Sequence, residues 1–474
     1  MSEQSFGKAI EGGTFVMEKN MTVGNPARII LEFVLPIFLG NLFQQLYSMV
    51  DTIIVGKFVG TKALAAVGAT GNINFLILGF LMGLTAGFTV LTSQRFGAGD
   101  LNGMRRSVGT AAILSIAASV VMTIISMISM RGLLTLMNTP EDIFDGSYTY
   151  IMIICGGIFA QVLYNLLAGI LRALGNSRVP LYFLIFSACM NIVLDLLLIL
   201  VIPLGVAGAA IATVISQGLS GILALIYIVC KVPILHLTRS DWRFDKIIAR
   251  RELSIGLPMA FQYSITAIGS VMVQTALNGL GSLHVAAFTA ASKFDQLANQ
   301  FYGAIGVTMA TYCAQNTGAR RLDRIRQGFR TATSITFAYS AVLGILLYYF
   351  GYHATRMFIN EDFDTVVPLV DTMLKCSSLF LFPLTIVNVF RNGIQGMGYG
   401  LLPMTAGIAE LVGRGVAAVL AARHNSYWGV CMASPLAWIL ASALLLIMYV
   451  YVIRDTKRRL NLTDGASPDS AQSE

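Results

Sequence analysis

The chain has 474 residues, of which 56% are hydrophobic and 12% are charged, and its formal net charge is +8. Its mean hydropathy of +0.72 excludes an ordinary soluble globular protein, because so apolar a surface would aggregate in water. The basic residues are dispersed over short loops, and this distribution argues against nucleic-acid binding.

Twelve apolar stretches predict membrane-spanning helices, which we call spans 1 to 12. A helix needs about 20 apolar residues to cross a bilayer, and each stretch meets or approaches that length. We therefore predict an all-α polytopic membrane protein. The stretches are 29–55, 66–93, 108–130, 147–171, 180–202, 206–230, 253–280, 285–311, 332–351, 366–390, 401–422 and 428–453.

The second half of the chain repeats the first at an offset of about 220 residues. The segment QRFGAGDLNGMRRSVGTA (94–111) recurs as QNTGARRLDRIRQGFRTA (315–332). Such a duplication in a membrane protein indicates two pseudo-symmetric six-helix lobes with a pathway between them, and six spans per copy make the repeats parallel. The predicted regions are an N-terminal tail (1–28), an N-lobe (29–230), a linker (231–252), a C-lobe (253–455) and a C-terminal tail (456–474).

The positions of Lys and Arg predict the orientation in the membrane. The loops after spans 2, 4, 6 and 8 and both chain ends carry most of them, so these parts are predicted to be cytoplasmic. The linker is basic and mildly amphipathic, and either a membrane-surface segment or a plain solvated linker fits it. The opposite loops carry only Lys57, Lys62, Arg131, Arg356 and Arg423.

Signals of enzyme chemistry are absent from the sequence. The six cysteines and four histidines are scattered, with no CxxC or HExxH spacing. The duplicated glycine motif (GAGD, GARR) lacks the strand before it and the GK[ST] ending of a phosphate-binding loop, and more simply predicts a tight turn. We expect neither an enzyme nor a cofactor.

Two acidic residues within spans are the main functional signal. Asp51 lies in span 1 and Asp195 in span 5; a central charge costs about 2.5–3.5 kcal/mol in lipid, so such residues are functional candidates. Asn191 shares a helix face with Asp195, and Asn165 and Thr213 offer further oxygens from spans 4 and 6. These five residues are predicted to hold H⁺ or Na⁺.

Purely structural roles compete with this prediction. Asp51 could instead pair with Lys57 or Lys62, and Asp195 could serve only to stabilise its lobe. The second copy has Val273 or Gln274, Arg414 and Ala418 at the positions of Asp51, Asn191 and Asp195, so the acidic site belongs to the N-lobe alone.

Other polar residues within the spans are candidates for the lining of a substrate cavity. Interhelical hydrogen bonding explains several of them equally well, and Glu410 and Arg414, four residues apart, most simply neutralise each other. The candidates are Gln44, Gln45, Tyr47, Gln262, Asp295, Asn299, Glu410 and Arg414.

Several motifs in this order resemble the multidrug and toxic compound extrusion (MATE) family, and more narrowly its DinF-type bacterial and archaeal branch. They are PIFLGNLFQQLYSMVDTIIVG (36–56), QRFGAGD (94–100), GILRALGNS (169–177), NIVLD (191–195) and GVAGAAIAT (205–213). The resemblance covers about residues 25–455.

The resemblance implies two six-helix lobes in a V-shaped arrangement, which export organic, often cationic compounds against H⁺ or Na⁺ entry across the cytoplasmic membrane of a prokaryote. It matches Asp51 to the family's span 1 carboxylate, and Asn165, Asn191, Asp195 and Thr213 to the ion-binding cluster. The NorM-type branch keeps acids in spans 7 and 10, where this chain has Gln262 and only an outer Asp371. This departure favours the N-lobe site.

The predicted function is therefore alternating-access antiport coupled through Asp51 and Asp195, with small organic molecules and the lipid bilayer as partners and a monomer sufficient. A flippase for lipid-linked saccharides is the competing function of similar architecture. It would be expected to line its cavity with many cations, whereas the spans hold only Lys293, Lys375, Arg391 and Arg414. A membrane-embedded enzyme and a passive channel are competing functions of a different class.

Overall fold

The computed structural model describes residues 19–137, 139–356 and 363–459, and over these ranges the chain forms α-helices and no β-strand. Of the tails predicted at 1–28 and 456–474, residues 1–18 and 460–474 lie outside the described residues. The fourteen helices are α1 Pro26–Ile54, α2 Thr61–Gly97, α3 Leu101–Leu136, α4 Glu141–Gly156, α5 Ile158–Ala173, α6 Arg178–Leu196, α7 Val206–Lys231, α8 Lys246–Asn278, α9 Ser282–Gly318, α10 Leu322–Arg356, α11 Phe363–Leu379, α12 Leu381–Gly396, α13 Leu401–Arg423 and α14 Tyr427–Arg459.

These helices correspond to the twelve predicted spans, two of which are bent. Helices α4 and α5 meet at 47° and form span 4, and α11 and α12 meet at 51° and form span 10. Within the described part of the chain nine single helices are long and apolar enough to cross a membrane. Helix α9, which contains Lys293 and Asp295, is less apolar than these nine helices require and forms span 8. The all-α, twelve-span fold class is confirmed.

Two pairs of corresponding helices in the two sequence repeats have the same lengths. Helices α2 and α9 have 37 residues each, and α5 and α12 have 16 each. The glycine motif forms the predicted tight turn after α2, where Gly99 has a φ of 72° and the Asp100 carboxylate accepts a hydrogen bond from the Gly103 amide at 2.8 Å. In the second copy Arg320 adopts the corresponding left-handed conformation with a φ of 58°.

Replacing Arg320 by Gly is expected to raise the thermal unfolding midpoint of the purified protein. A non-glycine residue in the left-handed region costs about 1 kcal/mol or more, and the exposed Arg320 side chain loses little packing when removed. Gly99→Ala should lower the midpoint by a comparable amount. An unchanged midpoint in R320G would show that this turn carries no backbone strain.

The described residues form two compact units, each with its own apolar core. Unit 1 contains residues 19–21, 31–137 and 139–268, and unit 2 contains residues 22–30, 269–356 and 363–459. Unit 1 buries side chains such as Met130 and Leu134, and unit 2 buries Leu277 and Leu374. Helices α1 and α8 thus contribute to both units, a division that differs from the predicted lobes at these two helices.

Helix α8 enters unit 1 through a close backbone crossing with α2. Three glycines one turn apart, Gly79, Gly83 and Gly87, face α8. A Cβ at Gly87 would lie 2.3 Å from the Gly256 Cα, and one at Gly83 would lie 2.6 Å from the Met259 carbonyl oxygen. Small residues at this spacing let two membrane helices pack backbone against backbone.

The segment between α7 and α8 packs on unit 1 and is not a plain solvated linker. The Arg105 Nε donates to the Ile234 carbonyl oxygen at 2.9 Å, and Asp241 is buried. Hydrogen bonds from the Thr238 hydroxyl and backbone amide hold the pKa of the Asp241 carboxyl below its usual range. Helix α8 begins at Lys246, inside the region predicted as linker.

Candidate functional site

The two span acids of unit 1 meet, although they come from different helices. Asp51 lies on α1 and Asp195 on α6, and their carboxyl groups are within hydrogen-bonding reach of each other. Helix α1 packs on α6 at Gly40, where a Cβ would lie 3.2 Å from Leu184 Cδ2. Asp195 has no exposed surface and Asp51 is half-buried. The sequence prediction paired the same two residues.

Several polar atoms of this pair and of the neighbouring Asn191 have no hydrogen-bond partner within the described residues. Asp51 Oδ1 and both Asp195 carboxylate oxygens are buried without a hydrogen-bond donor. Asn191, only 1% exposed and one turn from Asp195, has neither its amide oxygen nor its amide nitrogen paired. Buried polar groups normally have partners, so this set of oxygens fits a small cation or a proton.

Asn165 and Thr213 lie on the neighbouring helices α5 and α7, which pack on each other. The Asn165 amide donates to the carbonyl oxygen of Gln161 on its own helix at 2.9 Å, and the Thr213 carbonyl accepts from the Ser216 hydroxyl at 3.0 Å. No contact between these two residues and the carboxylates is found within the described ranges. Their part in ion binding stays a prediction.

Three further side chains, Tyr47, Tyr150 and Gln217, lie around the acidic pair. The sequence analysis did not identify Tyr150 or Gln217 as site residues. The Tyr47 hydroxyl is within hydrogen-bonding reach of Gln44 and Gln217, and Tyr47 was assigned only to the substrate cavity. Tyr150 on α4 lies close enough to interact electrostatically with both acids. Gln217 follows Thr213 by four residues on α7, so helical spacing from Thr213 could have identified it.

Each acid is followed within one turn by a π-helical segment. Helix α1 continues as a π-helix over Val55–Val59, and α6 continues as a π-helix over Leu197–Val201. The two π-helices contact each other. π-Helical turns are rare and occur frequently at functional sites, and here they end both helices that supply a carboxylate.

The alternative ion-pair role of Asp51 is not supported by the contacts. Lys62 lies 3.9 Å from Asp142, and the Lys57 ammonium group lies over the ring of Phe58. Among the described residues Asp51 has no basic partner within salt-bridge distance. The titratable group that interacts with Asp51 is the second carboxyl group, that of Asp195.

The span acids of unit 2 have partners, in contrast to those of unit 1. Glu410 binds two arginines, Arg414 at 2.7 Å as predicted and Arg391 at 2.6 Å. The Asp295 carboxylate accepts a hydrogen bond from the Ser377 hydroxyl at 3.1 Å. Asp371 is paired with Lys375 at 2.6 Å.

The remaining predicted cavity residues are divided between the two units. Gln44, Gln45 and Tyr47 on α1 and Gln262 on α8 belong to unit 1, while Asn299 on α9 belongs to unit 2. The Asn299 amide donates to the Asp295 carbonyl oxygen at 2.8 Å. The prediction that they line one substrate cavity is not tested by these contacts.

Unit 1 contains another buried acid, in a segment that the sequence predicts to be linker. Glu252 at the start of α8 is 0% exposed and accepts a hydrogen bond from the Ser107 hydroxyl at 2.8 Å. Ser107 in turn contacts Thr92 at 3.1 Å. The position of Glu252 beside Arg250 and Arg251 indicated a basic segment on the membrane surface or in solvent, so nothing in the local sequence predicted the burial of this acid.

Comparisons with known proteins identify relatives along most of the chain. The model of the family described as MatE matches residues 36–197 and 257–420, one range in each repeat. Probable multidrug resistance protein YpnP of Bacillus subtilis is 29% identical over 79% of this chain and 83% of its own length. The probable multidrug resistance protein YoeA of the same species is 27% identical over 88% and 92%. A MOP superfamily transporter from Pyrococcus furiosus has the same fold, with a TM-score of 0.87, 22% identity and coverage of 94% and 100%.

Proposed function

Because the chain belongs to the MatE family of multidrug and toxic compound extrusion transporters, we propose that it exports toxic organic compounds, cationic ones among them, in exchange for H⁺ or Na⁺ bound at Asp51 and Asp195. As a member of this family the chain is a multi-pass membrane transporter and not an enzyme. The observation that carries the proposal is that the half-buried Asp51 and the fully buried Asp195 face each other, with no cationic side chain of the described residues paired to either.

The carboxylate pair supplies an exchange mechanism. Two acids this close in a dry environment do not both remain ionised without a cation between them. An inward-moving ion therefore stabilises the loaded state of unit 1, while a cationic or amphipathic substrate favours the unloaded state. A coupling ion drives transport only through such a difference in affinity between two states.

The pairing of charges in unit 2 supports coupling through unit 1. Glu410 is neutralised by two arginines and Asp371 by Lys375. A flippase for lipid-linked saccharides would be expected to line its cavity with many cations, whereas Lys375 is paired with Asp371 and the two arginines, which share Glu410, carry one excess positive charge between them. We further propose that the protein acts as a monomer in the cytoplasmic membrane with both termini in the cytoplasm.

The proposal is tested with purified protein in liposomes and the cationic dye rhodamine 123. Either a pH gradient at equal Na⁺ or a Na⁺ gradient at equal pH is imposed, and one of them should drive dye movement against its own gradient. The ionophore that collapses that gradient should stop the movement, and protein-free liposomes give the background. Movement that only ever equilibrates the dye would indicate a channel and would rule out antiport.

A further inference from the structure

The buried charge cluster of unit 2 joins two helices. Glu410 on α13 accepts hydrogen bonds from the Arg391 Nη2 on α12 at 2.6 Å and from the Arg414 Nη2 on its own helix at 2.7 Å. The three side chains are only 8–10% exposed. We call these three residues the arginine cluster.

The arginine cluster contains one positive charge more than negative. A guanidinium group has five N–H donors, and each arginine donates one hydrogen bond to Glu410. The Nε atoms of both Arg391 and Arg414 are buried and have no partner. An excess buried charge is costly unless an ion of the opposite sign and further hydrogen bonds accompany it.

One member of the cluster aligns with a residue of the acidic site of unit 1. Helix α6 begins at Arg178 and α13 at Leu401, and in this alignment Arg414 stands at the position of Asn191, beside the site of Asp195. The matching place in unit 2 is therefore basic where unit 1 is acidic. An acidic site suits a cation and a basic site suits an anion, so the two units differ in charge as sites for ligands of opposite charge would.

Helix α8 leaves room for the cluster. A Cβ at Gly269 would lie 2.8 Å from the Arg414 Nη1, so a side chain there would press on the guanidinium group. A guanidinium group binds a carboxylate or phosphate with paired, parallel hydrogen bonds. The chemistry of the cluster thus matches an oxyanion that bridges its two arginines.

We infer that Arg391 and Arg414 bind a carboxylate or phosphate group of a transported compound, so that the range of substrates includes zwitterions and organic anions. This inference rests on the proposed function and adds a substrate class to it. Glu410 keeps the arginines in place and moderates their charge when no such group is bound.

A matched pair of dyes tests the inference. Rhodamine 110 has a free carboxylate, and rhodamine 123 is its methyl ester, so the two differ in the group under test. Binding to the purified full-length protein is measured by fluorescence polarisation. Arg414→Gln and Arg391→Gln are each expected to weaken rhodamine 110 binding about tenfold, the usual effect of losing a charged hydrogen bond, and to leave rhodamine 123 unaffected.

Glu410→Gln is the complementary variant, because it raises the net charge of the cluster without removing a guanidinium group. It should tighten rhodamine 110 binding, and it keeps the test informative if an arginine variant is recovered unfolded. Inorganic phosphate should displace rhodamine 110 from the wild-type protein and leave bound rhodamine 123 in place.

Equal affinities of rhodamine 110 for wild type, R414Q and E410Q would overturn the inference. Stabilisation by inorganic phosphate without any preference for rhodamine 110 over its ester would also overturn it, because the site would then bind free anions and not substrates. Failure of the proposed function is seen separately, as loss of gradient-driven rhodamine 123 transport in the liposome assay.

Discussion

Replacing Asp195 by Asn is expected to abolish gradient-driven transport of rhodamine 123 in liposomes. The substitution keeps the shape of the side chain but removes one of the two facing carboxylates, so the pair can no longer take up and release a cation in exchange. We expect the rate of uptake to fall at least about tenfold, because the ion gradient drives the cycle only through a difference in ion affinity between the two states. The folded protein should be at least as stable, since a buried group that is costly to ionise is replaced by a neutral one.

Two further variants separate coupling from general effects of charge. Asp51→Asn should reproduce the loss, because it removes the other half of the same pair. Asp142→Asn, on an exposed acid that lies 3.9 Å from Lys62, should transport like the wild type. Undiminished transport in D195N, or a loss explained by a lower thermal unfolding midpoint, would remove Asp195 from the coupling role.

Replacing Gly87 by Leu is expected to prevent recovery of folded protein. The new Cβ would lie 2.3 Å from the Gly256 Cα and 2.7 Å from its amide nitrogen, and backbone atoms cannot move aside as a flexible side chain can. Overpacking of this kind costs about 3 kcal/mol or more. The yield of monodisperse protein in size-exclusion chromatography and the unfolding midpoint measure the effect.

Gly68→Leu is the matched control on the same helix. Gly68 is exposed, and no atom lies within 4 Å of a Cβ built there, so the same change should be tolerated. If both variants fold equally well, α2 and α8 do not depend on their close backbone contact. If both fail, leucine is harmful to α2 for some reason other than the crossing.

Much of the fold could be predicted because the membrane constrains helix length and composition so strongly. The bends in spans 4 and 10, at Gly157 and Phe380, were not predicted, since each apolar run has the length of one continuous spanning helix. The α2–α8 crossing did leave a signal in the spacing of Gly79, Gly83 and Gly87. That spacing identifies a packing face but not the helix that packs there.

The acidic pair could be predicted because a charge in lipid is expensive and therefore conspicuous in a span. Arg391 could not be assigned to Glu410 in the same way, because helical spacing relates residues only within one helix and these two lie on α12 and α13. Tyr150 and Glu252 were missed for a similar reason. Their surroundings are built from helices distant in sequence, and neither residue looks unusual locally.

Because a π-helical segment follows each of the two acids, we expect the chain to tolerate the deletion of one residue after an acid better than the deletion of one residue before it. A π-turn contains about one residue more than an α-turn, so deleting one residue from Val55–Val59 could restore an ordinary turn and leave Asp51 facing Asp195. A deletion between Gln44 and Asp51 would instead rotate the carboxylate by about 100° around the helix axis, the angle that one residue occupies. A single-residue deletion in the π-turn after each acid should therefore preserve transport, whereas a deletion in the helix before the acid should abolish it.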